Sequence, residues 1–281
     1  MEFGGLTTAL ITPFKEGKLD EKGFRENLWF QIEAGVDALL VLGSTGEGNS
    51  LTEAEQQQVT DIAVSEAKGN IPLWVSCGGV STDQTIEKAR VAEERGADAL
   101  LVIAPYYCRP MQEGLLRHFE AVAHATPLPI ILYNHPKRAG VTIEQETLKR
   151  LSGIENIIGI KDASGSIGYG AAVMDSVPDL LFLVGDDLMA LPFLSIGAGG
   201  LVSVLSNLMP GSMKELVETR DLSLYRTLYP FMALSQVETN PIPIKAMMEL
   251  EGLPAGKCRL PLTPLSEKNQ KRLSEMRALH G

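Results

Sequence analysis

A seven-residue segment that occurs twice constrains the fold of this 281-residue chain more than any other feature. GVDALLV at 35–41 returns almost unchanged as GADALLV at 96–102, an offset of 61 residues. That offset equals two units of about thirty residues, which is the usual length of a strand followed by a helix. The repeat therefore indicates a protein built from successive strand–helix units.

Eight short apolar runs support this interpretation, because they lack the alternation expected of a strand with one face in water. Such runs are typical of strands buried on both faces in a parallel sheet that helices cover. Helical patterns separate them, with Asp20 as a cap before one and Thr52 and Glu55 as a capping box before another. The predicted strands are 6–11, 38–42, 73–76, 99–103, 130–133, 157–161, 181–184 and 201–204.

The alternation predicts an α/β protein of the (β/α)8 TIM-barrel type with a small C-terminal helical appendix. No GxGxxG motif follows the first strand, which disfavours a dinucleotide-binding sheet. We assign residues 1–220 to a barrel catalytic domain and 221–281 to a C-terminal helical region. Barrel capping and subunit packing are equally open as roles for that region. One helical pattern, near 213–217, precedes this region, and three lie within it, near 222–234, 244–251 and 267–279.

The net charge of −10 argues against nucleic-acid and anionic-membrane partners, since both favour clustered Lys and Arg. The N-terminus does not resemble a signal peptide, and no apolar run approaches the ~18 residues of a membrane span. We therefore expect a cytoplasmic protein. The cysteines are expected to be free thiols, and the histidines show no metal-ligand spacing, so no metal is predicted. These residues are Cys77, Cys108, Cys258, His118, His124, His135 and His280.

Functional residues of a barrel follow the strands, because the carboxyl ends of all eight meet at one face. The run that starts at Ile157 leads directly into Lys161 and then into turn residues. A lysine placed there can act as a Schiff-base nucleophile, since burial disfavours the charged amine and only the neutral amine attacks a carbonyl. A solvated strand end or a structural ion pair is the alternative for such a lysine.

Other strand ends carry candidate functional residues that would lie at the same end of the barrel as Lys161. The segment GSTGEG at 43–48 offers glycines for close backbone approach and the Ser44 and Thr45 hydroxyls for a carboxylate, or it is an ordinary turn. Tyr133 is expected to point toward Lys161, and Arg138 to pair with a substrate carboxylate unless it is a surface residue.

Two further strand ends have simpler explanations. Tyr106 and Tyr107 follow the fourth strand as packing residues or hydroxyl donors, and packing is the better explanation for one of them. Asp186 and Asp187 follow the seventh strand. Adjacent acids at that position cap the next helix or pair with a neighbour more often than they bind a metal.

Five segments in order resemble the dihydrodipicolinate synthase family, and the resemblance runs through essentially the whole chain. They are GSTGEGNSLT at 43–52, PYYCRPMQEG at 105–114, YNHPKRAG at 133–140, GIKDASG at 159–165 and GAGGLVSV at 197–204. This family belongs to the pyruvate-dependent class I aldolases, which include N-acetylneuraminate lyase. The resemblance implies a class I lyase that forms a Schiff base between pyruvate and Lys161 and needs no other cofactor.

The resemblance also implies the second substrate and the assembly. The enamine of pyruvate is expected to attack L-aspartate 4-semialdehyde and to yield 4-hydroxy-tetrahydrodipicolinate. Tyr133 resembles the general acid and base, in a hydroxyl relay with Ser44 and with Tyr107 from a neighbouring subunit. The family assembly suggests a homotetramer built from two tight dimers. Thr45 matches the residue that binds the pyruvate carboxylate, Arg138 the one that holds the semialdehyde carboxylate, and Gly185 and Val202 positions that line the pocket.

The synthases usually have two threonines where this chain has Ser44 and Thr45. A serine followed by a threonine is common among the neuraminate lyases. Arg138 favours the synthase, because it supplies a charge for a second carboxylate. The alternative is a class I aldolase or lyase of a 2-keto-3-deoxy sugar acid or of N-acetylneuraminate. A remote alternative is a non-catalytic barrel that binds a small molecule, since fold does not dictate function.

Lysine-inhibited members of the family place an asparagine and a glutamate where this chain has Val80 and Gln84. Gly48, Glu53 and Gln56 depart from their pattern as well. An amino-acid inhibitor needs acidic acceptors for its ammonium groups, and losing one weakens binding by on the order of a few kcal/mol. We predict weak or absent inhibition by L-lysine. Inhibition at submillimolar lysine in a steady-state assay would contradict this.

Overall fold

Eight parallel strands close into a barrel in the computed structural model, which describes residues 3–280 and the side chains of 3–278. Each strand pairs with its neighbours in the chain, and the last pairs with the first. The predicted barrel is confirmed, and each predicted strand overlaps an observed one. The strands are β1 Gly5–Ala9, β2 Ala38–Val41, β3 Leu73–Ser76, β4 Ala99–Ile103, β5 Ile130–Asn134, β6 Ile157–Asp162, β7 Leu181–Val184 and β8 Gly200–Ser203.

Helices surround the barrel and form the C-terminal appendix, which is also confirmed. Asp20 caps the first helix, and Thr52 with Glu55 forms the predicted capping box of the second. None of the helices within 3–280 has the length and apolar content to cross a bilayer. The helices are α1 Glu21–Glu33, α2 Glu53–Ala67, α3 Thr82–Arg95, α4 Gln112–His124, α5 Pro136–Ala139, α6 Gln145–Leu151, α7 Ile167–Ser176, α8 Ala190–Ser195, α9 Pro210–Thr219, α10 Leu222–Leu234, α11 Ile242–Leu250 and α12 Glu267–His280.

The repeated segment has one structural role in both copies. The Asp37 carboxylate accepts a hydrogen bond of 2.6 Å from the Leu6 backbone N–H, and Asp98 accepts one of 2.8 Å from Leu73. Each aspartate thus ties the start of its own strand to the strand before it. Lys214 also donates to both oxygens of Asp37, at 2.6 and 2.7 Å. The repeat therefore secures the barrel at the rim where the strands begin.

Strand side chains alternate between two apolar layers, which explains the continuous apolar runs. On β4, Leu101 belongs to the barrel interior, while Leu100 and Val102 pack outward against the helices. Both directions are therefore buried. Tyr133 and Val202 also belong to the interior layer.

A buried ion pair joins the C-terminal helices to the loop that follows β2. Lys245 Nζ on α11 lies 2.7 Å from Glu47 Oε1, and these side chains are 2% and 0% exposed. The same ammonium donates to the Thr12 carbonyl at 2.9 Å, and the Arg259 backbone N–H donates to the other Glu47 oxygen at 2.9 Å. The loop is therefore held from the C-terminal side of the chain.

Replacing Lys245 with methionine would leave the Glu47 carboxylate buried without its cation. Breaking a buried pair on one side costs about 3–5 kcal/mol, so we expect a loss of that size in the free energy of unfolding. Denaturant unfolding followed by circular dichroism measures it.

The matched control is Lys271→Met. Lys271 lies 3.9 Å from Glu275 and its side chain is 80% exposed, so a loss of no more than about 0.5 kcal/mol is expected. Equal losses in the two variants would contradict the importance of the buried pair.

Candidate active site

Lys161 lies near the carboxyl end of β6, and only 6% of it is exposed. It pairs in register with Tyr133 on β5, and its Nζ is 4.3 Å from the centroid of the Tyr133 ring. Burial lowers the pKa of the Lys161 amine to about 7; the Asp187 charge opposes this shift, and Arg138 adds to it. A substantial fraction of the amine is therefore neutral near pH 7.

Tyr133 is almost fully buried beside this amine. Burial raises the pKa of the Tyr133 hydroxyl, while the Arg138 charge and a hydrogen-bonding contact with Ser44 oppose the shift. The hydroxyl consequently stays protonated and can both donate and accept a hydrogen bond. The His135 ring lies 5.6 Å from the Tyr133 ring, and burial lowers its pKa to about 4, so this histidine is neutral at pH 7.

The loop after β2 presents Ser44 and Thr45 through a tight backbone path. Leu42 and Glu47 on either side of them have positive φ angles of 61° and 51°, an unfavourable region for residues with a side chain. A Cβ at Gly48 would lie 2.1 Å from the Leu42 carbonyl oxygen, so only glycine fits there. Such a conformation persists because the surrounding contacts hold it.

Arg138 lies in the short helix α5 at the same mouth. Its Nη2 donates to the Asn240 carbonyl at 3.4 Å. No carboxylate within residues 3–278 forms an ion pair with it, so the guanidinium charge is available to an anionic ligand.

Two neighbouring cavities of about 410 and 230 Å³ open at this face. Ser44, Tyr133, Arg138 and Asn240 line both of them. The smaller also contains Lys161, Thr45, Gly185 and Asp187. The structure therefore gathers Lys161, Tyr133, Ser44, Thr45, Arg138 and Gly185 at one site.

Gly185 is the wall against which the lysine lies. A Cβ there would be 2.9 Å from the Asp162 carbonyl oxygen and 3.0 Å from Lys161 Cε. Any larger residue would therefore displace the lysine or the end of its strand. Because Gly185 has no side chain, the backbone wall of the cavity can lie close to the lysine without a clash.

Val202 and Tyr107 are placed differently. Val202 is buried in the barrel interior, in the same apolar layer as Tyr133, and is not part of the wall of either cavity. Tyr107 has a positive φ of 70° and is 92% exposed, so within one chain it does not reach Lys161.

The two aspartates after β7 have capping roles. Asp186 accepts from the Leu188 N–H at 2.9 Å, and Asp187 from the Val204 and Leu205 N–H groups at 3.1 and 2.8 Å. Burial raises the pKa of Asp187. Among the described residues, which leave out the His280 side chain, no three His, Cys, Asp or Glu are grouped to hold a metal.

The sequence did not predict what two residues do at this site. Asp187 was expected to cap the next helix or to pair with a neighbour, and the effect of its charge on the Lys161 amine was not predicted. Asn240 was not considered, yet its Nδ2 donates to Thr45 Oγ1 at 2.9 Å across 195 residues of chain. No local pattern marks that contact, because it depends on how the C-terminal helices pack.

A buried lysine of near-neutral pKa at the C-terminal mouth of a (β/α)8 barrel is the arrangement that a Schiff-base-forming barrel of the class I aldolase type requires. The chain belongs to the dihydrodipicolinate synthetase family, whose model matches residues 2–278. The resemblance inferred from the sequence is thereby confirmed.

Individual relatives match over nearly their whole lengths. A 4-hydroxy-tetrahydrodipicolinate synthase of Protochlamydia amoebophila is 43% identical over 288 residues, covering 98% of this chain and 96% of its own. The dihydrodipicolinate synthase structure from Aquifex aeolicus has a TM-score of 0.96 and 36% identity, covering 99% and 98% of the two chains. The first monomeric dihydrodipicolinate synthase variant has a TM-score of 0.94 and 36% identity, covering 98% and 96%.

The pKa of Lys161 predicts how its reactivity depends on pH. With a pKa of about 7, roughly one amine in ten is neutral at pH 6 and about nine in ten at pH 8. Arylation by dinitrofluorobenzene, mapped by peptide mass spectrometry, should therefore reach half its maximal rate near pH 7 at Lys161. A lysine in a model peptide has a pKa of ~10.4, so such a peptide, arylated in parallel, should require much higher pH.

Two variants test the charges that act on this pKa. Arg138→Met removes a neighbouring cation and should raise the pKa of Lys161, whereas Asp187→Asn removes an anion and should lower it. If both variants shifted the pKa in the same direction, or if the wild-type midpoint lay near that of the model peptide, these charges and the burial would not control the pKa of Lys161.

Proposed function

We propose that the protein condenses pyruvate with L-aspartate 4-semialdehyde to give 4-hydroxy-tetrahydrodipicolinate, in lysine and diaminopimelate biosynthesis. The observation that carries this proposal is the buried Lys161 amine, with a pKa of about 7, against the Tyr133 ring. The curated relatives named as 4-hydroxy-tetrahydrodipicolinate synthases support the choice of substrates.

The first half-reaction activates pyruvate. Lys161 Nζ attacks the C2 carbonyl, a C–N bond forms, and the carbonyl oxygen leaves as water to give the imine. Tyr133, in contact with Ser44, delivers and removes the protons, because neutral hydroxyls can do both. Loss of a methyl proton then converts the imine to the enamine.

The second half-reaction joins the two substrates. The enamine carbon attacks the aldehyde, a C–C bond forms, and the aldehyde oxygen takes a proton from the Tyr133 relay. The amine of the second substrate then attacks the C=N carbon and displaces Lys161, which closes the ring. One water is lost in total, and the lysine is regenerated without a redox step, a metal or another cofactor.

The two carboxylates are proposed to bind on opposite sides of the amine. Thr45, buried in the smaller cavity, would bind the pyruvate carboxylate with its hydroxyl and backbone N–H. Arg138, without a carboxylate partner among the described side chains, would bind that of the semialdehyde. Gly185 would leave room for the imine, and Val202 would pack beneath Tyr133.

Tyr107 supports a role for assembly. A tyrosine that is 92% exposed in one chain is a poor relay member there, so we propose that it enters the site of a neighbouring copy. A homotetramer of two tight dimers, acting in the cytoplasm on soluble substrates, is the arrangement we propose.

Lys161→Ala should abolish condensation, because it removes the nucleophile, and Tyr133→Phe should lower kcat by roughly 10²–10⁴-fold through loss of acid–base catalysis. The assay supplies pyruvate and L-aspartate 4-semialdehyde. A coupling reductase consumes the product together with NADPH, and the loss of NADPH gives the rate of condensation. The control is Lys22→Ala, whose side chain is 89% exposed and whose turnover should equal that of the wild type.

Retained turnover in Lys161→Ala would assign the chemistry to another group. A folded wild-type protein without condensation activity would instead point to the sugar-acid aldolases. Borohydride trapping of pyruvate on Lys161 separates that result from a barrel without any Schiff-base chemistry.

A further inference from the structure

Asn240 lies between the two residues proposed to bind carboxylates. Its Nδ2 donates to Thr45 Oγ1 at 2.9 Å, and its backbone carbonyl accepts from Arg138 Nη2 at 3.4 Å. It also lines both cavities at the mouth of the barrel. One residue of the C-terminal region thus contacts both sides of the site.

The contact with Thr45 determines where the threonine hydroxyl proton points. A hydroxyl has one proton and two acceptor positions. Because an Asn240 N–H donates to the oxygen, the Thr45 proton is directed away from Asn240 and is free to be donated to a carboxylate. Asn240 therefore presets Thr45 as a donor.

The same contact leaves the other end of the amide as an acceptor. Asn240 Oδ1 is buried and has no hydrogen-bond partner within the described part of the chain. Buried polar atoms are nearly always paired, because an unpaired one loses its hydration without compensation. At the wall of a ligand cavity, such an atom indicates a hydrogen bond that the ligand completes.

The neighbours of Asn240 point to the ligand group. Arg138, held against the Asn240 backbone, is the proposed partner of the second substrate's carboxylate. In an α-amino acid the ammonium lies on the carbon next to that carboxylate. We propose that Asn240 Oδ1 accepts a hydrogen bond from this ammonium, while Nδ2 orients Thr45 for pyruvate. This inference rests on the proposed function and makes Asn240 a specificity-determining residue.

The test compares L-aspartate 4-semialdehyde with succinic semialdehyde, which differs only in lacking the amine. Wild type, Asn240→Leu and Asn240→Asp are loaded with pyruvate, and each aldehyde is added. Borohydride quenching and intact-protein mass spectrometry follow the disappearance of the pyruvate adduct, which gives a second-order rate constant for each aldehyde.

Asn240→Leu should reduce the preference for the aminated aldehyde about 10- to 100-fold, the effect of losing a hydrogen bond to a charged group. Asn240→Asp retains an acceptor but loses the N–H donor to Thr45. It should keep the preference while raising the pyruvate concentration for half-maximal adduct formation roughly 10-fold. The control Asn70→Leu, at an exposed asparagine bonded to Glu66, should change neither quantity.

Two outcomes would overturn the inference. Asn240→Leu could slow both aldehydes equally, which is the result expected of a purely structural residue, or Asn240→Asp could lose the preference. A wild-type enzyme that forms the pyruvate adduct but does not react with the aminated aldehyde would contradict the proposed function instead. Thermal melts of each variant separate these outcomes from misfolding.

Discussion

Desolvation of the Lys161 amine is the constraint on which the rest of the site depends. A lysine in water is almost wholly charged at pH 7, and exclusion from solvent is the main cause that brings the pKa of Lys161 to about 7. That exclusion requires the closed barrel, the Tyr133 ring against the ammonium and a glycine at 185 that lets the wall approach. The reactivity proposed for Lys161 therefore depends on how the residues around it pack as much as on its being a lysine.

Charged residues at the mouth of the barrel also change the pKa of Lys161, in addition to the effect of burial. Asp187 favours the charged form of the amine and Arg138 disfavours it, so the pKa reflects a balance of opposing neighbours. Asp187 is held by backbone N–H groups after β8, and Arg138 by the Asn240 carbonyl. A protein with a net charge of −10 thus presents a local cation at the site proposed for a substrate carboxylate.

The C-terminal region contributes to the site as well as to the surface. Its Lys245 neutralises Glu47 below the loop that carries Ser44 and Thr45, and Phe14 lies between Lys245 and Arg259, each 4.3 Å from the ring centroid. Asn240, in the same region, donates a hydrogen bond to the Thr45 hydroxyl. Residues of the C-terminal region therefore support the loop that carries the proposed pyruvate site.

Local patterns in the sequence determined the eight strands, the capped helices and the strand-end positions of Lys161 and Tyr133, because burial on both faces and barrel closure leave few alternatives. The tertiary structure decided what depends on distant packing: the contact of Asn240 with Thr45, the effect of Asp187 on the amine, and the placement of Val202 in the barrel interior. Tyr107 is a surface residue in a single chain. Contacts between residues almost two hundred positions apart arise only when the chain folds, so no local pattern encodes them.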